Sequence, residues 1–242
     1  MTEDTTRRRF LIAAGAAVPA VASALAPGPA GAAEPTADQP QAAAQSVAPP
    51  APEPPLTLTA TEAAFFTAVV DTMIPADDLS PSGSDCGVVV FIDRQLAGAY
   101  GAGARLYRGG PFVQGKPEQG YQLALSPREF FAVGIAAAND WSRKTYGKEF
   151  DRLAPADRAA ALKVMEDGKA EFAAIASKPF FDALLDITME VFFADPIYGG
   201  NRDKAGWKMV GFPGLPALYA DKIEAYRDKR FEGPPQSIAD FS

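Results

Sequence analysis

Apolar side chains recur at three- and four-residue steps in several stretches of the chain, each opened or closed by residues that favour a helix end. Thr59-Ala60-Thr61-Glu62 has the form of a capping box, and Phe65, Phe66, Val69, Val70 and Met73 follow at helical spacing until Pro75. This pattern predicts a first helix over 60–74. Ser80-Pro81-Ser82-Gly83-Ser84 breaks the chain, after which Val89, Ile92 and Leu96 line one face of a predicted helix over 88–100. A Gly-rich loop then runs to about residue 125. Ser126-Pro127-Arg128-Glu129 combines a cap, a proline at the first helical position and a closing glutamate, and predicts a long helix to Tyr146. Further helices are predicted over 153–166, over 180–193, where apolar residues occupy most faces, and over 217–227. Val88-Val89-Val90-Phe91 is β-branched but sits in a helical context, and no alternating run flanks a turn dipeptide. The expectation for residues 57–242 is a single all-α domain with long Gly/Pro-rich loops.

The N-terminal part follows a different rule. Thr6-Arg7-Arg8-Arg9-Phe10-Leu11 sets paired arginines directly before an uncharged stretch reaching Ala33, the arrangement read by a twin-arginine translocon. That stretch is mostly Ala and Gly and carries Pro19, Pro27 and Pro29, so a cleaved signal fits better than a membrane span. Arg7, Arg8, Phe10 and Leu11 are its recognition residues, and Ala30-Gly31-Ala32 supplies small residues for cleavage after Ala32. Residues 1–32 are accordingly expected to be a signal peptide, directing the chain to the periplasm. Residues 33–56 are dominated by Pro, Ala and Gln, with little to bury, and are expected to be a disordered linker. Extended at about 3.1 Å per residue, such a linker reaches roughly 70 Å.

Charge and composition narrow the chemistry. A formal net charge of −7 opposes binding to a phosphate backbone, and the richest basic cluster, 222–230, is interleaved with Glu224 and Asp228. Nucleic acid is therefore not an expected partner. The sequence contains no histidine, which removes Ser-His-Asp and Cys-His catalysis, histidine metal sites and histidine-ligated haem. Cys86 is the sole cysteine, so an internal disulfide is impossible. An enclosed thiol and an intermolecular disulfide with a partner subunit both stay open.

Three groups of residues remain as candidates for chemistry. Gly98, Gly101 and Gly103 resemble a phosphate loop only superficially, because they follow a helix and Leu106 replaces the last glycine. Asp182, Asp186 and Glu190 recur every four residues along one face of the 180–193 helix, with Asp195 just beyond it. Such carboxylates serve an independent enzyme as acid, base or metal ligands, or else form a solvated edge. Asp71, inside an apolar run, is either a buried acid or points outward. The most distinctive stretch is Asp195-Pro196-Ile197-Tyr198-Gly199-Gly200-Asn201, followed by Trp207 and Gly211-Phe212-Pro213-Gly214. Pro196 must end the preceding helix, and the glycines and Asn201 permit positive φ. Two rigid loops would display Tyr198, Trp207 and Phe212 as interface anchors, or those rings fold back onto the core.

The same residues carry a resemblance. Ala194-Asp195-Pro196-Ile197-Tyr198-Gly199-Gly200-Asn201, then Gly206-Trp207 and Gly211-Phe212-Pro213-Gly214, resemble the small subunit (subunit 3, gamma chain) of gluconate 2-dehydrogenase. Gly110-Pro111-Phe112, Gln119-Gly120-Tyr121-Gln122 and Ile74-Pro75-Ala76-Asp77 agree with it. The resemblance implies a periplasmic, membrane-associated complex that oxidises a sugar or sugar acid. In it a large subunit carries FAD, a multihaem cytochrome c subunit carries haem c and takes the electrons, and the small subunit has no cofactor and no active site of its own. With the rigid aromatic loops, Asp195, Pro196, Tyr198, Gly199, Gly200, Asn201, Trp207, Gly211, Phe212, Pro213 and Gly214 are the residues expected to face that partner.

Overall fold

The computed structural model describes residues 54–113, 115, 116, 119–215, 218, 220–231 and 233–241. Arg7, Arg8, Phe10, Leu11 and the cleavage site lie outside the described residues, as do residues 33–53 of the expected linker. Among the described residues there is no strand, only an isolated bridge between Gly214 and Gln236. The architecture is all-α, as the periodicity predicts.

Helix α1, Ala60–Met73, is central: it packs on the four helices that follow and on a 3₁₀ turn, Phe150–Arg152. Its start is the predicted capping box, with Thr59 Oγ1 accepting from the Glu62 N–H at 3.2 Å and Glu62 Oε2 accepting from the Thr59 N–H at 2.8 Å. Helix α2 spans Val88–Ala97 and stops three residues short of the expected end. There the chain reverses, and a Cβ at Gly101 would stand 1.9 Å from the Leu96 carbonyl oxygen. The Gly98, Gly101 and Gly103 cluster thus serves a tight turn.

Helix α3, Pro127–Tyr146, opens on the second predicted box, Ser126 with Glu129, and closes at Gly147 in the left-handed region with φ 74°. Helix α4, Pro155–Glu166, packs on α5, Ser177–Phe192, and α5 also reaches α1, α2 and α3. Between them lies an aromatic core. Phe65 sits 5.0 Å from Phe150 and 6.1 Å from Phe180, while Phe66 meets Phe131 at 5.6 Å. The tilted and edge-on geometries suit the ring quadrupoles, and dispersion among fully buried rings supplies much of the cohesion. Close approach of α3 to α5 depends on Gly134, because a Cβ there would meet the Phe180 ring at 2.2 Å. The long 101–125 loop is pinned to this core by Tyr121, stacked on Phe130 at 3.9 Å.

Two elements differ from expectation. The predicted 217–227 helix is not formed: its described part holds a 3₁₀ turn, Ala220–Lys222, followed by turns. Its apolar residues Ile223 and Tyr226 stay exposed, so no packing face offsets the entropy of ordering a short helix. A six-residue helix that the periodicity does not reveal, α6 at Ala205–Val210, forms instead. At the other end, the chain is fastened earlier than composition suggests. The buried Asp93 carboxylate on α2 accepts from the N–H groups of Leu56, Thr57 and Leu58 at 2.5, 2.9 and 2.9 Å. No helix among the described residues is long and apolar enough to cross a membrane.

Candidate functional site

The 195–215 loops are built from the end of α5 outward. Pro196 opens a 3₁₀ turn, Pro196–Tyr198, and Asp195 caps it by accepting from the Ile197 N–H at 3.0 Å. The next residues twist sharply. Gly199, Asn201, Asp203 and Lys204 have φ of 102°, 47°, 56° and 59°, a region that disfavours ordinary side chains and persists only when its surroundings hold it.

Asn201 is the holder. Its side chain is fully buried, with Nδ2 donating to the Ala194 carbonyl and Oδ1 accepting from the Gly206 N–H, both at 2.8 Å. One amide thereby satisfies the end of α5 and the start of α6 together. Trp207 on α6 donates its indole N–H to the Phe193 carbonyl at 2.7 Å. A seam joins these loops to the start of α2: the Arg202 N–H donates to the Cys86 carbonyl at 2.9 Å, and Arg202 Nη1 donates to the Asp85 carbonyl at 3.0 Å.

The aromatic residues divide. Tyr198 and Phe212 are 54% and 47% exposed, whereas Trp207 is 5% exposed. Trp207 is therefore a support that carries the Phe212 ring edge-on at 5.3 Å, and the expectation that it is displayed is corrected. Its N–H needs a partner once its ring is covered, and a carbonyl freed at the end of α5 supplies one. Gly200, Asn201 and Gly214 are likewise buried behind the surface, Asp195, Pro196, Gly199 and Pro213 are half-buried, and Gly211 is exposed.

Cys86 is buried at 1% exposure with Sγ 3.7 Å from the Pro81 carbonyl. Burial, then the Asp85 charge, pushes its thiol up to about 11 against the opposing pull of Arg202. An enclosed, weakly ionised thiol fits the core reading. Asp71 proves to be a fastener: it accepts from the Ser84 N–H at 2.8 Å and from Ser84 Oγ at 3.0 Å, fixing the loop between α1 and α2.

The carboxylate row does not converge. Asp182 pairs with Lys178 at 2.8 Å, one turn back on α5, and Asp186 and Glu190 are exposed. Though the residue is exposed, partial desolvation of its carboxyl by neighbouring groups, then the Asp182 charge, holds Asp186 above its ordinary range. Tyr100 is near this row, and burial, then Glu190 and Asp186, raises its hydroxyl. Asp195 belongs elsewhere, since its second oxygen accepts from the Ile238 N–H at 2.9 Å. Among the described residues no group of three or more Cys, Asp or Glu side chains is placed to hold a metal ion. A cleft of about 110 Å³ beneath residues 54–58, lined by Leu58, Val89, Val90 and Asp93, is small beside the roughly 300–1,000 Å³ of small-molecule sites.

Neither a search of curated proteins nor one of solved structures gives a match. Residues 60–214 match the family described as gluconate 2-dehydrogenase subunit 3, a span that begins at α1 and ends on Gly214. The chain belongs to the gluconate 2-dehydrogenase subunit 3 family.

Proposed function

We propose that this protein is the non-catalytic small subunit of a periplasmic, membrane-associated, FAD-dependent sugar or sugar-acid dehydrogenase complex. Family membership implies a place in a multi-subunit gluconate dehydrogenase complex. The small subunit supports the folding and stability of the flavoprotein large subunit and travels with it through the twin-arginine translocon, and a multihaem cytochrome c subunit completes the complex. FAD and haem c belong to those partners.

The observation that carries this reading is the construction of the 195–215 loops. Strained backbone is held by a fully buried Asn201 and a buried Trp207, and the outcome is the outward presentation of Ile197, Tyr198 and Phe212. Preorganised aromatic groups on a stiff support suit a subunit contact, because little entropy remains to be lost on docking. Export of folded cargo suits a flavoprotein whose cofactor is loaded before translocation, so Arg7 and Arg8 are read as the address of the assembled pair.

The large subunit expressed with and without this chain tests the role: equal yield, export and flavin content in both cases would sink it. Arg7→Lys with Arg8→Lys is expected to strand the flavin activity in the cytoplasm. Unchanged export of the large subunit would refute the shared address.

A further inference from the structure

Residues 233–241 lie beyond the segment that matches the family, yet they are stitched to its last loops. The Leu215 N–H donates to the Gln236 carbonyl at 2.8 Å and the Gln236 N–H to the Pro213 carbonyl at 3.0 Å. Gly214 is shaped for this contact: its φ is +72°, and a Cβ there would stand 2.0 Å from the Gln236 oxygen. Lys204 Nζ donates to the Pro235 carbonyl at 3.0 Å and forms an ion pair with Asp240. Asp195 receives the Ile238 N–H, and Asp240 receives the Ser237 N–H at 2.7 Å. The Lys204 bond, then the Ser237 N–H, holds the Asp240 carboxyl below its ordinary range.

These ties engage Asp195, Lys204 and Asp240 and leave apolar side chains outward. The 3₁₀ turn Ile238–Phe241 packs beside the Pro196–Tyr198 turn. A segment that merely sealed the loops would bury its apolar side chains. Here Ile238 is 39% and Phe241 64% exposed, next to Ile197 and Tyr198 at 46% and 54%. The two turns thus bring exposed apolar side chains together, as a lasting subunit contact requires.

We propose that residues 233–241 and the 195–215 loops form one composite docking face for the flavoprotein large subunit, with Ile238 and Phe241 selecting the large subunit this chain accepts. The inference rests on the proposed function, and it adds that recognition extends past the family's shared segment. Lys204 and Asp195 act as positioning residues, since they hold the added segment in register. A large subunit is favoured as occupant over a second copy because the face is continuous with the loops at which the family segment ends, and that family is one of heteromeric complexes.

The test uses the full chain, affinity-tagged and co-expressed with the large subunit of its complex, with the recovery of flavin-bearing polypeptide as the readout. Ile238→Ser with Phe241→Ser removes only exposed side chains and leaves every tie above in place. Recovery is expected to fall at least about tenfold, the effect of losing central apolar anchors. Tyr107→Ser, at an exposed residue of the 101–125 loop, is expected to leave recovery unchanged and controls for a general loss of surface apolarity. Undiminished recovery with the double variant, while the wild-type chain binds, would overturn the composite face and spare the proposed function. A wild-type chain that binds no large subunit would overturn both. A homodimer of the wild-type chain that the double variant dissolves, with recovery of the large subunit unchanged, would assign the face to a second copy and overturn the proposal.

Discussion

Replacing Asn201 by alanine tests whether one side chain organises the loops. The side chain has no exposed surface, and its amide satisfies a donor at Gly206 and an acceptor at Ala194. Deleting it leaves both without a partner, at about 1–3 kcal/mol for each buried group, with Ala194 at the low end because it is only half-buried. The backbone must also keep φ near 47° at this position, where alanine is less tolerant than asparagine by about 1 kcal/mol. The combined loss is about 3–5 kcal/mol, a large share of a typical 5–15 kcal/mol stability. With a urea slope of about 2–3 kcal/mol/M, the unfolding midpoint followed by far-UV circular dichroism is expected to drop by about 1–2.5 M. Asn201→Gly loses the same two bonds but relaxes the backbone, so it is expected to recover about 1 kcal/mol of that loss. A midpoint shift below about 0.3 M for the alanine variant, or a glycine variant less stable than the alanine one, would refute this account of the strained turn.

Gly134→Ala places a methyl group 2.2 Å from the Phe180 ring and is expected to cost about 1–3 kcal/mol, which thermal melting would report as a fall of about 3–10 °C; an unchanged melting temperature would show that α3 and α5 separate freely. Cys86 should resist a maleimide at pH 8 in the folded chain and react once urea unfolds it. With its thiol pushed up from 9.0 to about 11, the thiolate is roughly a hundredfold scarcer than in a free thiol, and rapid native labelling would contradict its burial. Because the unfolded thiol ionises first, this group's contribution to stability is intact below about pH 9 and is lost as pH rises towards 11. Asp93→Ala frees three backbone donors and is expected to open residues 54–58 to limited proteolysis, with the helical body intact by circular dichroism. Unaltered protection of that stretch would show that packing alone holds it.

Helix starts were legible in the sequence wherever the signal was local. Thr59 with Glu62 and Ser126 with Glu129 exchange bonds within three residues, so the spacing alone specifies the geometry. The 217–227 pattern lacks a partner surface for its apolar face: Ile223 stays exposed, and Tyr226 stays exposed with its ring edge-on to the nearby Phe231 at 4.8 Å. Helix α6 is too short for periodicity to register. The positive φ at Gly199 and Asn201 was readable from residue type, but its occurrence at Asp203 and Lys204 was not, because Lys204 is held from Pro235 and Asp240, far along the chain. Trp207, Asp93 and Asp71 were opaque for the same reason. Each takes its role from a partner 14, 35 to 37 or 13 residues away, a separation at which spacing carries no information.

The seam between Arg202 and Asp85 spans 117 positions in the chain. Loop closure over that distance carries an entropic cost that the condensed intervening helices reduce, so the contact depends on the helices between. Gly87 and Gly199 leave no slack: a Cβ at Gly87 would lie 2.4 Å from the Gly199 oxygen, and one at Gly199 would lie 2.5 Å from Arg94 Nη1. A half-folded chain therefore lacks the geometry that presents Tyr198 and Phe212. A partner that recognises those rings inspects, in one encounter, whether the whole helical body has been completed.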